Sequence, residues 1–177
     1  MSITSSETSS CPRSNDCDAA CLVFEFALTP AERALLAGLH ALRVRYLIVG
    51  MGAALLEGAT GTTQVLDLWF GSIDSAKVGE AARKAGGFYT SGFGMQPPAF
   101  GGDGLDRVDI VLTASGLGPF DDEYAGAREF DLDGLRVRVL PLARVIVNKR
   151  GANRPKDLAQ LPILEAALAA KVSERQG

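Results

Sequence analysis

The stretch YLIVGMGAALLEG, Tyr46–Gly58, constrains the fold of this chain more than any other segment. It continues an apolar run that begins at Val44, and such a run is typical of a buried central strand. Gly50-Met51-Gly52 then forms a glycine turn, and the apolar residues after it predict a short helix that ends at Gly58. The segment therefore predicts a strand, a tight turn and a helix in direct succession.

A dinucleotide-binding fingerprint, G-x-G-x-x-G/A, is one interpretation of this turn. Counted from Gly50, the third small residue that the fingerprint needs for close helix–strand packing is Leu55. Asp67 lies near the distance at which an acidic residue would bind the ribose. The second half of the chain predicts a hairpin instead of further strand–helix units, so a dinucleotide-binding protein is the remoter alternative.

The remaining pattern predicts a mixed α+β fold. Thr29, Pro30 and Glu32 form a capping box at the start of an amphipathic helix, and Asp133-Gly134 predicts a hairpin turn. Further strands are expected at 64–70 and 107–113, a helix after Asp74 or Ser75, a long loop at 88–106 that allows short strand pieces, and helices at 141–153 and 154–172, the last kinked or divided at Pro162. This order predicts a mixed sheet with helices packed on it.

Composition places few restrictions on function. The 177 residues are 47% apolar and 22% charged with a net charge of -3, as in an ordinary globular protein, and nothing indicates a broad nucleic-acid surface. Residues 1–20 predict a disordered tail, and 21–177 a single domain. No apolar run has the length of a membrane span and no secretory signal begins the chain, so a cytoplasmic location is expected. Cys11, Cys17 and Cys21 are interpreted as free thiols.

Four motifs in a fixed order carry a family resemblance: LIVGMGAALLEGATGTTQVLDLWF, RVDIVLT, FDDEYAGAREFDLDGLRVRVL and NKRGANRPKDLAQL. In this order and spacing the chain, from about Arg43 to Ala170, resembles small bacterial nucleotidyltransferase-like proteins. These belong to the polymerase-beta-type superfamily and are akin to the abortive-infection toxin branch. The resemblance implies a nucleotidyltransferase-like mixed sheet flanked by helices, and transfer of a nucleotide from a nucleoside triphosphate with Mg²⁺.

The resemblance also implies site residues. Asp67 matches the second aspartate of the family's strand pair and Asp109 the third carboxylate, so both would be catalytic residues and metal ligands. Gly50 and Met51 would form the turn that approaches the nucleotide. Apart from the resemblance, Lys149 lies at i+7 from Leu142 on the inward stripe of its helix, where it would reach a phosphate in the cleft; a snorkelling lysine at a helix C-terminus is an equal interpretation.

Four positions depart from the family pattern. Val65 replaces the first aspartate of the strand pair, Met51 the second glycine of the turn, Gly61 an arginine, and Gln160 the last aspartate of the C-terminal motif. We therefore expect a degenerate or weakly active member that binds Mg-nucleotide. A catalytically inactive binding or interaction module of the same fold is the alternative, with a partner protein or a homodimer left open.

Two charge clusters are interpreted as structural. Arg154, Lys156 and Asp157 are expected to form ion pairs that fix the last helix, in preference to binding a ligand directly. Asp121, Asp122 and Glu123 are expected to be a solvated helix start, because acidic residues suit a first helical turn.

Overall fold

A five-stranded mixed sheet organises the structure, a computed structural model that describes residues 27–174. The expectations for the tail 1–20 and for the three cysteines lie outside the described residues. The strands are β1 Tyr46–Ile48, β2 Leu66–Phe70, β3 Phe88–Thr90, β4 Ala99–Gly101, β5 Val108–Val111, β6 Arg128–Leu132 and β7 Leu135–Val139. The helices are α1 Pro30–Ala41, α2 Gly50–Leu56, α3 Ser75–Lys84, α4 Phe120–Ala125, α5 Leu142–Ala152 and α6 Pro155–Glu174.

The order of strands across the main sheet is β5-β2-β1-β7-β6. Strand β1 runs antiparallel to β2 and parallel to β7, while β2 runs parallel to β5. The C-terminal end of β1 therefore lies at the same edge of the sheet as the N-terminal ends of β2 and β5. The turn at Gly50 and the carboxylates of Asp67 and Asp109 belong to this edge.

Helices α1 and α3 pack closely because small residues meet between them. A Cβ atom added at Gly38 would lie 3.2 Å from Ala81, so the two helix backbones are nearly in contact. The core is formed by leucines of α1, small residues of α3 and the central strands, among them Leu35, Leu36, Leu39, Val78, Ala82, Leu47, Ile48, Leu66, Leu68 and Val139. The prediction of a mixed α+β sheet packed by helices is confirmed.

Local sequence patterns specify several element ends. Thr29 Oγ1 accepts from the Glu32 amide at 3.1 Å and Glu32 Oε2 accepts from the Thr29 amide at 2.7 Å, as the capping box predicts. Asp74 is the N-cap of α3. Strands β6 and β7 form the predicted hairpin about Asp133-Gly134, and α6 is one continuous helix with Pro162 inside it.

The long 88–106 segment contains short strand pieces, as its interpretation allowed: β3 and β4 pair as a two-stranded antiparallel hairpin, with Tyr89 and Phe100 packed at a centroid distance of 5.8 Å. One expectation about the chain is corrected. Glu123 is buried instead of solvated, because it pairs with Arg144 and accepts from the Gly118 amide at 3.1 Å. Of the helices in residues 27–174, none is both long and apolar enough to cross a membrane.

Candidate functional site

Asp67 and Asp109 lie side by side on neighbouring strands. They are register partners in the parallel pairing of β2 with β5, so their side chains extend from the same face of the sheet. Asp67 is half-buried and Asp109 is exposed. Both line an open cleft of about 940 Å³ at the edge where β1 ends. The structure thus brings together the two carboxylates that the sequence predicted as a pair.

The pKa of Asp67 is raised because its carboxylate is half-buried and lies beside a second carboxylate. The pKa of Asp67 is raised from 3.8 to about 6, chiefly by burial and secondly by the like charge of Asp109. The positive charges of Lys149, Lys156 and Arg154 oppose this rise in pKa. Two adjacent carboxylates with cations around them are suited to a ligand that carries both a metal ion and phosphates.

Gly50 is required by Asp67 itself. Its φ is +64°, a left-handed conformation that favours glycine, and a Cβ atom there would overlap the Asp67 carboxylate. The backbones also meet here, because the Val49 amide donates to the Asp67 carbonyl oxygen at 3.0 Å. From the sequence, this glycine was expected to let a phosphate approach the backbone. In the structure, the group that lies against it is the carboxylate of Asp67.

Met51 and Gly61, two of the four departures from the family pattern, are neighbours. Met51 lines the cleft but is only 8% exposed, and its methyl group would lie 3.2 Å from a Cβ atom added at Gly61. A side chain at Gly61 would therefore compete with Met51 for space. The two substitutions are spatially matched, which the sequence spacing alone does not reveal.

Lys149 is held by Asp157 within the protein. It is 7% exposed, so its ammonium group does not extend into solvent as that of a snorkelling lysine would. Its Nζ donates to Asp157 Oδ1 at 3.2 Å, and Arg154 Nε donates to Asp157 Oδ2 at 2.5 Å. The predicted ion-pair cluster at the start of α6 therefore exists, with Lys149 in the place expected for Lys156, which is exposed along the cleft.

The two positions at which the family resemblance implies a carboxylate, and this chain has another residue, also line the cleft. Val65 and Gln160 both contribute to its wall. Within residues 27–174, no group of three or more Asp, Glu, His and Cys side chains is placed to hold a metal ion. Asp67 and Asp109 alone fit one divalent cation, since Mg²⁺ binds through one or two carboxylates plus substrate phosphates. They do not fit the two-cation arrangement of a complete carboxylate cluster.

Sequence reasoning missed two parts of the cleft. Asp106 lines it from the loop before β5, and Pro97, Pro98 and Phe100 of the β3–β4 hairpin form a wall. No local pattern marks these residues, because they reach the cleft only when the hairpin packs beside β5. The nearest available indication was the glycine- and proline-rich composition of 88–106, which is common in functional loops.

Among solved structures, that of ANT(2'')-Ia in complex with adenylyl-2''-tobramycin resembles this chain with a TM-score of 0.53 and 15% identity, over 80% of this chain and 90% of that one. This chain has a nucleotidyltransferase-like fold. At this identity the likeness concerns the fold alone.

Two further structures are similar at a lower level. The solution structure of ANT(2'')-Ia has a TM-score of 0.48 and 13% identity, over 82% of this chain and 93% of that one. An antigenic nucleotidyltransferase-like protein from Paracoccidioides brasiliensis has a TM-score of 0.44 and 16% identity, over 82% and 88%. No protein-family model matches the chain, and a search of curated proteins finds no match. The narrower resemblance to the abortive-infection toxin branch stays a prediction.

Proposed function

We propose that this nucleotidyltransferase-like protein binds a Mg²⁺–nucleoside triphosphate in the cleft and transfers its nucleotidyl group only weakly. The observation that supports the proposal is the pairing of Asp67 with Asp109 across β2 and β5. Their carboxylates share one face and open on a cleft that Lys149, Arg154 and Lys156 also line. Acids at one point and cations around them match a metal ion bound to a triphosphate.

Each residue has a distinct part in this proposal. Asp67 and Asp109 would hold one Mg²⁺, whose chemical contribution is to neutralise phosphate charge. Lys156 is exposed in the cleft and is available to a phosphate oxygen. Lys149 and Arg154 are held by Asp157, so they contribute a fixed positive field. Gly50 leaves room for the Asp67 carboxylate at the end of β1.

Val65 accounts for the weak transfer. It lies two residues before Asp67, so strand alternation directs both side chains to the cleft face. A carboxylate at this position would complete a cluster of three with Asp67 and Asp109. Without it, a second cation would have too few protein oxygens, and stabilisation of the attacking and leaving oxygens would be incomplete.

Calorimetric titration with ATP, GTP, CTP and UTP tests the binding step. We expect at least one nucleotide to bind in the presence of Mg²⁺ and to bind much more weakly in EDTA. Asp67→Ala and Asp109→Ala should each abolish the Mg²⁺-dependent part. Asp106→Ala is the matched control, since Asp106 is an exposed acid of the same cleft outside the register pair. The absence of binding by all four at millimolar concentration would contradict the proposal.

Val65→Asp tests the explanation for weak transfer. With a radiolabelled nucleoside triphosphate, we expect transfer to an acceptor to rise in Val65→Asp and to disappear again in Val65→Asp/Asp67→Ala. Tobramycin belongs among the acceptors tried, because the ANT(2'')-Ia structure contains its adenylylated form. Equal transfer by the native protein and Val65→Asp would show that the missing carboxylate is not what limits the reaction.

An inactive interaction module is the second candidate function, and the β3–β4 hairpin favours it. Phe93 and Met95 at its tip are almost fully exposed, and the sequence from Ala85 to Gly102 has no charged residue. An uncharged apolar tip suits contact with a partner protein or a second copy of the chain. A Phe93→Ser/Met95→Ser variant that keeps nucleotide binding but loses the cellular role would support this function. Loss of that role in folded Asp67→Ala would oppose it.

A further inference from the structure

A second cavity opens at the opposite end of the sheet from the cleft. Strands β1 and β7 pair only through Ile48 and Val139, and their N-terminal parts separate. The gap between them is a groove of about 460 Å³, within the range of small-molecule sites. We call it the β1–β7 groove; its lining is His40, Val44, Tyr46, Tyr124, Glu129, Gly134, Leu135, Arg136, Val137 and Arg138.

Tyr46 places an unpartnered polar group in the β1–β7 groove. Its side chain is only 6% exposed, yet its hydroxyl makes no hydrogen bond to any residue of the described part of the chain. Burial, together with nearby Tyr124, holds the pKa of Tyr46 well above its usual value, so the phenol keeps its proton and is a donor. The hydroxyl is not itself fully enclosed, so it opens on the groove, where water or a bound acceptor can take its hydrogen bond.

The positive charges around the groove fall into two groups. Arg45 and Arg138 are engaged, since they pair with Asp121 at 2.6 Å and Glu129 at 2.9 Å and lie against the Tyr124 ring. Arg136 lines the groove and Arg43 lines the adjoining hollow, which shares Tyr124, Val44 and His40 with it. Neither Arg43 nor Arg136 has a carboxylate of residues 27–174 within ion-pair distance.

Arg43 occupies a backbone position that normally belongs to glycine. It follows the end of α1 with a φ of +54°, and the Val44 amide donates back to the Leu39 carbonyl at 2.9 Å. A side chain in this left-handed conformation costs about 1 kcal/mol relative to glycine. An exposed guanidinium is thus kept at the rim of the groove at the expense of stability, which favours a role in binding.

We propose that the β1–β7 groove binds a small organic oxyanion, that is, a phosphate or carboxylate group on an apolar body. Tyr46 donates to the anion, and Arg136 and Arg43 neutralise its charge. Val44, Leu135 and Val137 form the apolar wall against which the body of the ligand packs. This site is separate from the cleft and does not depend on the function proposed for it.

Phenyl phosphate is the probe, titrated into the ¹⁵N-labelled native protein in EDTA so that Mg²⁺-dependent binding in the cleft is absent. We expect saturable shifts of the amides of Tyr46 and of Gly134 to Arg138. Tighter binding than inorganic phosphate would support the apolar wall, and weaker or no binding by phenol would support the role of charge. Comparison with benzoate decides between phosphate and carboxylate. Phenol binding as tightly as phenyl phosphate would overturn the proposal, as would an absence of saturable shifts.

Three variants locate the binding energy. Tyr46→Phe removes only the hydroxyl and should weaken phenyl phosphate binding about fivefold, the value of one hydrogen bond. Arg43→Gly suits the backbone and so keeps the fold, and it should weaken binding by a similar factor. Lys156→Gln in the cleft is the matched control and should change nothing. Unchanged affinity in both groove variants, or a loss confined to Lys156→Gln, would overturn the assignment.

Discussion

The cleft and the β1–β7 groove differ in how their charged side chains are paired. At the cleft end, Asp67 and Asp109 are adjacent like charges, and Lys156 is exposed without an ion-pair partner among residues 27–174. Beside the β1–β7 groove, Arg45 and Arg138 each have a carboxylate partner and also contact the ring of Tyr124. The two adjacent carboxylates of the cleft repel one another, whereas Arg45 and Arg138 on the groove side are each paired with a carboxylate.

This difference indicates that the adjacent carboxylates of the cleft lower the free energy of unfolding. Compensated surface pairs contribute little or modestly to folding. Adjacent carboxylates oppose folding until a cation binds them, which is the expected condition of a metal-nucleotide site before it is filled. Removing the Asp67 charge, which repels its neighbour, should therefore stabilise the protein, whereas removing a paired charge such as that of Arg138 should destabilise it.

The largest effect is expected at Asp157, whose buried carboxylate pairs with Lys149 and Arg154 beside the cleft. Asp157→Ala leaves the buried ammonium of Lys149 without its carboxylate, and we expect a loss of about 3 kcal/mol in the free energy of unfolding. Urea denaturation measures it. Glu165→Ala is the control on the same helix, since it breaks the exposed Arg150–Glu165 pair and should cost about 0.5 kcal/mol. Equal losses in the two variants would show that Lys149 is not dependent on Asp157.

Gly50→Ala should have an effect of similar size. It adds left-handed strain and an overlap with the Asp67 carboxylate, together about 3 kcal/mol of destabilisation. In an Asp67→Ala background the overlap disappears and the same change should cost about 1 kcal/mol. Thermal unfolding of the four proteins gives the coupling energy. Additive costs would mean that the Asp67 carboxylate does not lie against Gly50.

Asp67→Asn should stabilise the protein at neutral pH. The pKa of Asp67 is about 6 in the folded protein against 3.8 ordinarily, so the folded state binds more protons between these values. Native stability should therefore fall as pH rises from about 4 to about 6, by on the order of 2 kcal/mol after allowance for solvent screening. Above pH 6, Asp67→Asn should be more stable by a similar amount.

Urea midpoints at several pH values measure this difference, which should vanish near the ordinary pKa of aspartate. Asp106→Asn is the matched control, since it removes an exposed acid of the same cleft outside the register pair. A difference between Asp67→Asn and the native protein that persisted unchanged at low pH would argue against repulsion as its cause.

Arg138→Gln should have the smallest effect, and its sign should be opposite to that of Asp67→Asn. It removes the contact with the Tyr124 ring at 4.5 Å, the pair with Glu129 and the hydrogen bond to the Tyr124 carbonyl, and should destabilise the protein by about 1 kcal/mol. Arg136→Gln is the control, because Arg136 has no carboxylate within ion-pair distance among residues 27–174, and should leave stability nearly unchanged. Stabilisation by Arg138→Gln would remove the contrast between the two ends of the sheet.

Much of the fold could be predicted because the relevant patterns are local. The capping box at Thr29, the hairpin at Asp133-Gly134 and the strand–turn–helix at 46–56 each depend on a few neighbouring residues. The β3–β4 hairpin could not be predicted in this way. Its strands are short and separated by eight residues rich in glycine and proline, so packing beside the main sheet stabilises a pairing that the local sequence leaves undecided.

The candidate site divides along the same line. The sequence by itself determined which residue types are available: two carboxylates on separate strands, a glycine after β1, and Val65 where a third carboxylate is expected. Only the tertiary structure decided that Asp67 faces Asp109, that Gly50 makes room for Asp67, and that Met51 lies over Gly61. It also decided that Lys149 pairs with Asp157 and that β1 and β7 separate to form a groove. Distances between residues remote in sequence depend on strand register and helix packing, and these are set by burial over the whole core.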